Sequence, residues 1–156
     1  MAPPKTHTLL LIGGGHAHVH LLKMASMDPD FKAALQGVRK ILISRDVSTP
    51  YSGMVPGFVS GSYTRSECHL DLSKLCRFGG FEFVRASATA LALAPGRGGY
   101  AATDDEDRPE VWFDACSIDV GSSPTAVGAG REWTTPVKPI DSFAERWEEL
   151  LGRISG

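Results

Sequence analysis

The sequence has few cysteines, and their spacing does not support a disulfide framework or a zinc ribbon. Cys68, Cys76 and Cys116 are an odd count, and no CxxC pair occurs in the 156 residues. Disulfide-rich domains and zinc ribbons depend on paired or closely spaced cysteines. We therefore expect three reduced thiols, at least partly buried, in a protein of a reducing compartment.

Long apolar runs and a strong excess of one charge are also missing. No apolar stretch approaches the roughly 20 residues that a membrane-spanning helix needs, and the polar N-terminus does not resemble a signal peptide. The formal net charge of −2 is not the basic field typical of nucleic-acid-binding domains. These absences predict a protein without transmembrane segments or nucleic-acid partners, located in the cytoplasm or peripherally on a membrane.

The residues that are present are sufficient for one packed domain. Hydrophobic residues make up 42% of the chain and charged residues 22%, a balance typical of folded domains. "THTLLLIGGG" predicts a buried strand ending in a glycine turn. Residues 16–27 predict a helix, and Val38–Ser44 predicts a second strand. This βαβ order, with "FEFVRA" as a third strand, is typical of a parallel sheet.

The second half of the chain changes character. Short β-like runs separated by "PGRGG" and "DDEDRPE" predict an antiparallel meander at about residues 88–114. "ACSIDV" predicts a further buried strand, and residues 141–154 predict an amphipathic helix. Earlier in the chain, "SECHLDLSKLCRFGG" predicts a helix capped by Ser66 and ending at Gly79, which would place Cys68 and Cys76 on one helix face.

Three glycines and three alternate histidines follow the first strand, in "GGGHAHVH". Gly13 and Gly15 match the first two glycines of GxGxxG, which hold a pyrophosphate against a helix N-terminus. His18 stands in the third glycine position, where a small residue normally allows helix and strand to cross closely. The motif predicts a dinucleotide site, and the alternative is a structural glycine turn in another kind of α/β domain.

The histidines do not predict a metal site. Residues two apart on a helix point in different directions, and no neighbouring Cys or Glu set has zinc spacing. We expect His16, His18 and His20 to be capping, packing and surface residues, and His69 to be a helix-surface residue. The sequence identifies no catalytic acid, base or nucleophile.

The end of the second strand lacks the acidic residue that usually binds the adenosine ribose. Ser44 stands there instead and can hydrogen-bond a ribose hydroxyl. Arg45 follows it and can lie against adenine or pair with a phosphate. Because an arginine here also suits a 2′-phosphate, these residues leave NADP open beside FAD.

Four segments resemble the N-terminal part of the FAD-dependent pyridine nucleotide-disulfide oxidoreductases. In order they are "LLLIGGGHAHVH", "ILISRDVSTPYSGMVPGFVSG", "FDACSIDVGSSP" and "PVKPIDSFAERWEELL". The closest branch is that of the NADH dehydrogenase-like proteins sometimes fused to selenide, water dikinase. The resemblance implies an α/β, Rossmann-like FAD-binding domain with a parallel sheet and a small antiparallel meander. Residues 1–156 would be its N-terminal part, incomplete at the C-terminus and without the NAD-binding domain.

The resemblance also implies a set of FAD-binding residues. They are Gly13, Gly14, Gly15, His16, Ala17, Ser44, Arg45, Pro50, Tyr51, Ser52, Val84 and Gly121. The first five would line the pyrophosphate, and Ser44 and Arg45 would lie at the adenosine end, with backbone at Val84 or Arg85 near adenine. Residues 50–52 would approach the flavin. Gly121 matches the glycine of an ATG-type motif, whose Ala and Thr are replaced by Asp119 and Val120.

The implied function is that of an FAD-binding segment in a flavin oxidoreductase. The complete enzyme would pass electrons from NAD(P)H to an acceptor such as a quinone, whereas this segment alone would be inactive. No CxxxxC pair is present, so thiol–disulfide chemistry is not supported. The alternatives are a non-catalytic nucleotide-binding or interaction module and a single-domain NAD(P)-binding protein.

Overall fold

The computed structural model describes residues 7–95, 98–122, 133–138 and 140–155. The chain divides into two compact units, Met1–Ser48 with Asp71–Val120 and Thr49–Leu70 with Gly121–Gly156. The elements in chain order are β1 His7–Ile12, α1 His16–Met27, α2 Pro29–Ala34, β2 Val38–Ser44, β3 Ser48–Pro50, α3 Val55–Val59, β4 His69–Asp71, α4 Leu72–Gly79, β5 Glu82–Arg85, β6 Ala88–Leu93, β7 Gly99–Thr103, β8 Val111–Phe113, β9 Ala115–Ile118 and α5 Phe143–Ser155.

A four-stranded parallel sheet forms the centre of the first unit. Its strand order is β5-β2-β1-β9, and each neighbouring pair is parallel. The carboxyl ends align, because Ile12 of β1 is in register with Ile43 and Ile118. The α/β fold with a parallel sheet is therefore confirmed, and α1 and β2 have the predicted bounds.

The antiparallel meander is also confirmed, and it packs on one face of the parallel sheet. Its strand order is β6-β7-β8. One apolar cluster joins the two sheets, with members from β1, β2 and β5 on one side and from β7 and β8 on the other. Its buried residues are Leu10, Ile12, Ile41, Ile43, Val84, Ala86, Ala101, Val111 and Phe113.

The opposite face of the parallel sheet carries Leu11 and Leu42, both fully buried, because side chains alternate along a strand. Helices α1 and α4 pack against each other, and their buried side chains include Leu22 and Leu72. We infer that this helix pair covers the second face, so the sheet lies between helices and meander.

Helix α2 lies between the predicted helix at 16–27 and the predicted strand Val38–Ser44. Asp28 caps it, because the carboxylate oxygen Oδ1 accepts hydrogen bonds from the N–H groups of Asp30 and Phe31. Pro29 occupies the first helical position, where its missing N–H costs nothing. The Asp-Pro pair thus starts a helix.

The prediction of one helix from Ser66 to Gly79 is wrong for its first half. Helix α4 begins at Leu72 because Asp71 caps it, with Oδ1 accepting from Lys74 N–H at 2.9 Å. This hydrogen bond lowers the pKa of the Asp71 carboxyl. His69 belongs instead to β4, which pairs with β3. Consequently His69 is not a helix-surface residue, and Cys68 and Cys76 do not share a helix face.

The strand predicted in "ACSIDV" is confirmed as β9, which is parallel to β1, but it is not buried. It forms one edge of the four-stranded sheet, and Ile118 is 58% exposed. The apolar residues of "ACSIDV" predict a strand, whereas the burial of that strand depends on whether another element packs beside it.

The second unit contains α5 and the segment between β3 and β4, which includes α3. Phe143, at the start of α5, is buried and stacks on Trp147, while Ile154 near its end is exposed. Arg65 holds α5 through Glu145 at 3.0 Å and Glu148 at 3.6 Å. Among the described residues, no helix has the length and apolarity required to cross a membrane.

Candidate functional site

The chain changes direction within the parallel sheet between β1 and β9. From β1 it continues to β2 and β5 on one side, and it then enters β9 on the other side. In open parallel sheets, ligands bind outside the carboxyl ends of the strands at such a switch point. Gly13 follows β1 and Asp119 follows β9, so the glycine turn lies at this crevice.

The turn joins β1 directly to the N-terminus of α1. Gly13 has a φ of +91°, a conformation that favours glycine, and its N–H donates to the Ile43 carbonyl at 2.8 Å. Gly15 is the N-cap of this 12-residue helix and provides no side chain to cap it. The first N–H groups of α1 and the positive end of its dipole therefore face the crevice.

A side chain at any of the three glycines would meet a close neighbour within the protein. A Cβ atom at Gly13 would overlap the backbone carbonyl of Asp119, and one at Gly15 would overlap the Asp119 carboxylate. A Cβ atom at Gly14 would overlap the side chain of Leu72 on α4. At Gly13 the neighbour is backbone, so the turn needs glycine there whether or not a ligand binds. At Gly14 and Gly15 the neighbours are the ends of side chains, which can shift.

Asp119 ties the end of β9 to the turn and caps α1 from outside the helix. Its N–H donates to the Ile12 carbonyl at 2.9 Å, and its carbonyl accepts from Gly15 N–H at 2.9 Å. Its carboxylate Oδ2 accepts from Ala17 N–H at 2.9 Å. The N–H groups of Gly15 and Ala17, which an anion at this helix end would use, thus already donate to Asp119.

The buried imidazole of His18 explains why this chain lacks the third glycine. His18 is 2% exposed. Its Nδ1 lies 2.7 Å from the Gly13 carbonyl oxygen and its Nε2 lies 3.0 Å from Ser117 Oγ. Because a carbonyl oxygen only accepts, Nδ1 carries a proton and donates to Gly13, while Nε2 hydrogen-bonds the Ser117 hydroxyl. The His18 ring on α1 therefore links the glycine turn to β9.

The other two histidines of this stretch, His16 and His20, are exposed. Across the part of the chain that the structure describes, no three His, Cys, Asp or Glu side chains are grouped so as to hold a metal ion.

The residues predicted at the adenosine end lie along the same edge of the sheet. Ser44 ends β2 in register with Arg85, and Ile43 is in register with Val84. Ser44 is buried, and its hydroxyl donates to the Asp46 carbonyl at 3.1 Å. Arg45 is exposed and donates through Nε to the Asp46 carboxylate at 2.9 Å. The first unit thus brings these side chains to the edge where the glycine turn lies.

The residues predicted at the flavin end belong to the second unit. Pro50 ends β3 and lines an apolar pocket with Phe58 and Phe143 among others. Tyr51 N–H donates to the Cys68 carbonyl at 2.7 Å, and Ser52 begins a 3-10 turn. Gly121, which follows β9, has a φ of +75°, and no atom of the described residues lies within 4 Å of the position that a Cβ would take there.

The three cysteines are free. Burial raises the pKa of the Cys76 thiol to about 12 and also raises the pKa of Cys116. Both thiols are therefore protonated at neutral pH, whereas nucleophilic thiol chemistry needs the thiolate.

Comparison with known proteins supports the fold. No protein-family model matches the chain, and no curated protein sequence matches it either. The sulfide:quinone oxidoreductase of the hyperthermophilic bacterium Aquifex aeolicus has a similar structure, with a TM-score of 0.68 and 17% identity over 97% of this chain and 33% of that chain. NDH2 of Plasmodium falciparum in complex with NADH gives a TM-score of 0.64 and 12% identity over 96% of this chain and 30% of that chain.

At these identities the likeness is one of fold. The chain spans about a third of the length of these solved structures. It therefore has the α/β fold of one part of a sulfide:quinone oxidoreductase and of NDH2.

Proposed function

We propose that the chain is the FAD-binding segment of a flavin-dependent oxidoreductase and that the glycine turn receives the pyrophosphate. The observation that carries this proposal is the position of the turn. It lies at the switch point of a parallel sheet and leads directly into the N-terminus of α1, where phosphates bind in dinucleotide-binding folds. The resemblance of four sequence segments to FAD-dependent oxidoreductases adds the identity of the cofactor.

In this proposal the chain binds and orients the cofactor by its backbone more than by its side chains. The turn from Gly13 to Ala17 lies against the pyrophosphate, and Ser44 and Arg45 lie at the adenosine with backbone near Val84. The resemblance assigns residues 50–52 and Gly121, which belong to the second unit, to the flavin end. The flavin supplies the hydride and electron-transfer chemistry when it is bound. The reductant of the complete enzyme is NAD(P)H, and its acceptor is a quinone or a similar oxidant.

The backbone of the turn suits a pyrophosphate, whereas one side chain obstructs it. The helix N-terminus and the glycines suit a phosphate approaching closely, but the Asp119 carboxylate lies over Gly15 and accepts from Ala17. A pyrophosphate therefore fits only after this side chain has turned away. The association with selenide, water dikinase and the peripheral membrane location stay predictions.

The test is a titration of the purified chain with FAD, in which the quenching of flavin fluorescence measures binding. We expect saturable binding. Riboflavin, which lacks both the pyrophosphate and the adenosine, should bind on the order of tenfold more weakly or worse, because charge-assisted hydrogen bonds to the pyrophosphate are lost.

Parallel titrations with NADH and NADPH separate the alternatives. Tighter binding of either nicotinamide cofactor than of FAD would indicate a single-domain NAD(P)-binding protein. No binding of any of the three would contradict the proposal and favour an interaction module.

A further inference from the structure

Resting on this proposed function, we propose that Asp119 is an internal anion that the pyrophosphate must displace from α1. In the structure its carboxylate occupies the helix N-terminus that the proposed FAD site uses. Asp119 would thereby set the affinity for FAD without helping to hold the bound cofactor. This role differs from that of an ordinary capping residue, whose removal only destabilises the helix.

The contacts of α1 show why a carboxylate from another strand lies there. Its N-cap, Gly15, makes no side-chain hydrogen bond, and its first turn contains no acidic residue. The N–H groups and positive dipole end of a 12-residue helix favour a negative charge. Asp119, on the far side of the switch point and 102 positions away in the sequence, supplies it through the 2.9 Å bond from Ala17 N–H.

The carboxylate and a pyrophosphate compete for the same donor. Both are anions, and both would accept from Ala17 N–H, which has one hydrogen. The absence of a Cβ at Gly15 lets the carboxylate lie against the turn, and a phosphate would need that same space. Keeping both anions there would also place like charges a few ångströms apart.

The backbone of Asp119 allows the exchange without disturbing the sheet. Its N–H donates to Ile12 and its carbonyl accepts from Gly15, each at 2.9 Å, and neither bond involves the side chain. Asp119 is only partly buried. Rotation about its side-chain bonds therefore frees Ala17 N–H while β9 keeps its register with β1.

The experiment compares the FAD affinities of Asp119→Ala, Asp119→Asn and the unaltered chain. We expect Asp119→Ala to bind FAD about tenfold more tightly, because it removes the competing charge. Asp119→Asn should fall between the two, since its amide oxygen still accepts from Ala17 but carries no charge. Without FAD, Asp119→Ala should have a lower Tm than the unaltered chain because α1 loses its cap.

Asp114→Ala is the matched control. Asp114 also accepts from a backbone N–H, that of Thr8 at 2.7 Å, but it does so at the opposite end of β1. We expect Asp114→Ala to lower the Tm in the same direction and to leave the FAD affinity unchanged.

The outcomes separate this inference from the function on which it rests. Equal or weaker FAD binding by Asp119→Ala, with the unaltered chain binding FAD, would overturn the inference and leave the proposed function standing. Failure of every folded variant to bind FAD would overturn both. Tighter binding by Asp119→Ala but not by Asp114→Ala would support the inference.

Discussion

Replacement of Gly13 by alanine is expected to lower the Tm by about 10 °C. Gly13 has a φ of +91°, and an added Cβ would overlap the backbone carbonyl of Asp119. A backbone neighbour cannot move aside as a flexible side chain can, and this one is fixed by its hydrogen bond from Gly15. Strain and displacement together should cost about 3 kcal/mol, and each kcal/mol shifts the Tm of a chain this size by roughly 2–4 °C.

Gly37→Ala is the matched control for this substitution, and thermal unfolding followed by circular dichroism is the measurement. Gly37 has a similar φ of +79°, but within the described part of the chain nothing lies within 4 Å of the position that its Cβ would take. It should therefore show only the backbone strain, about 1 kcal/mol. Equal unfolding temperatures of the two variants would contradict the close contact between Gly13 and the Asp119 carbonyl at the end of β9.

Replacement of His18 by glycine should destabilise the protein by about 3–4 kcal/mol, although it restores the glycine of GxGxxG. The substitution empties a site where the ring is 2% exposed, and burial of this kind leaves a cavity. It also removes the hydrogen-bond partner of the Gly13 carbonyl in a partly buried bond, and an acceptor left unpaired away from water is costly. The Ser117 hydroxyl loses the same ring as a partner, but Ser117 is exposed and water can replace that bond. The lower helix propensity of glycine inside α1 adds under about 1 kcal/mol.

His20→Gly makes the same chemical change two residues further along α1, where the side chain is exposed. It should cost only the helix-propensity difference, which is under about 1 kcal/mol. Urea unfolding of the two variants measures the difference. Equal losses of stability would mean that His18 does not hold the turn against β9.

Local pattern was sufficient for the elements of the first unit whose periodicity is strong. Three patterns each predict a single element. The continuous apolar residues before Gly13 predict β1, the helical spacing after it predicts α1, and the run from Val38 to Ser44 predicts β2. The helix predicted from Ser66 was wrong because Ser66 and Asp71 are both capable caps. The pairing of β4 with β3, a contact between separate parts of the chain, decides between them.

The candidate site shows the same limit. The glycine turn and the edge of the sheet follow from motif and strand order. The positions of His18 and Asp119 do not, since their partners lie 99 and 102 positions away in the sequence. The sequence did contain one signal, a helix whose N-cap is glycine and whose first turn has no acid. Such a helix needs a cap from elsewhere, but the sequence does not say from where.

The measurement that tests the pyrophosphate site most directly is the change in backbone amide resonances when FAD is added to the ¹⁵N-labelled chain. Gly15 and Ala17 donate to Asp119 in the structure, and the proposed binding replaces the bond to the carboxylate. We predict that FAD shifts the amide resonances of Gly14, Gly15, His16 and Ala17, whereas riboflavin leaves them unchanged. Saturable binding of FAD without any shift in these four resonances would contradict the assignment of the glycine turn.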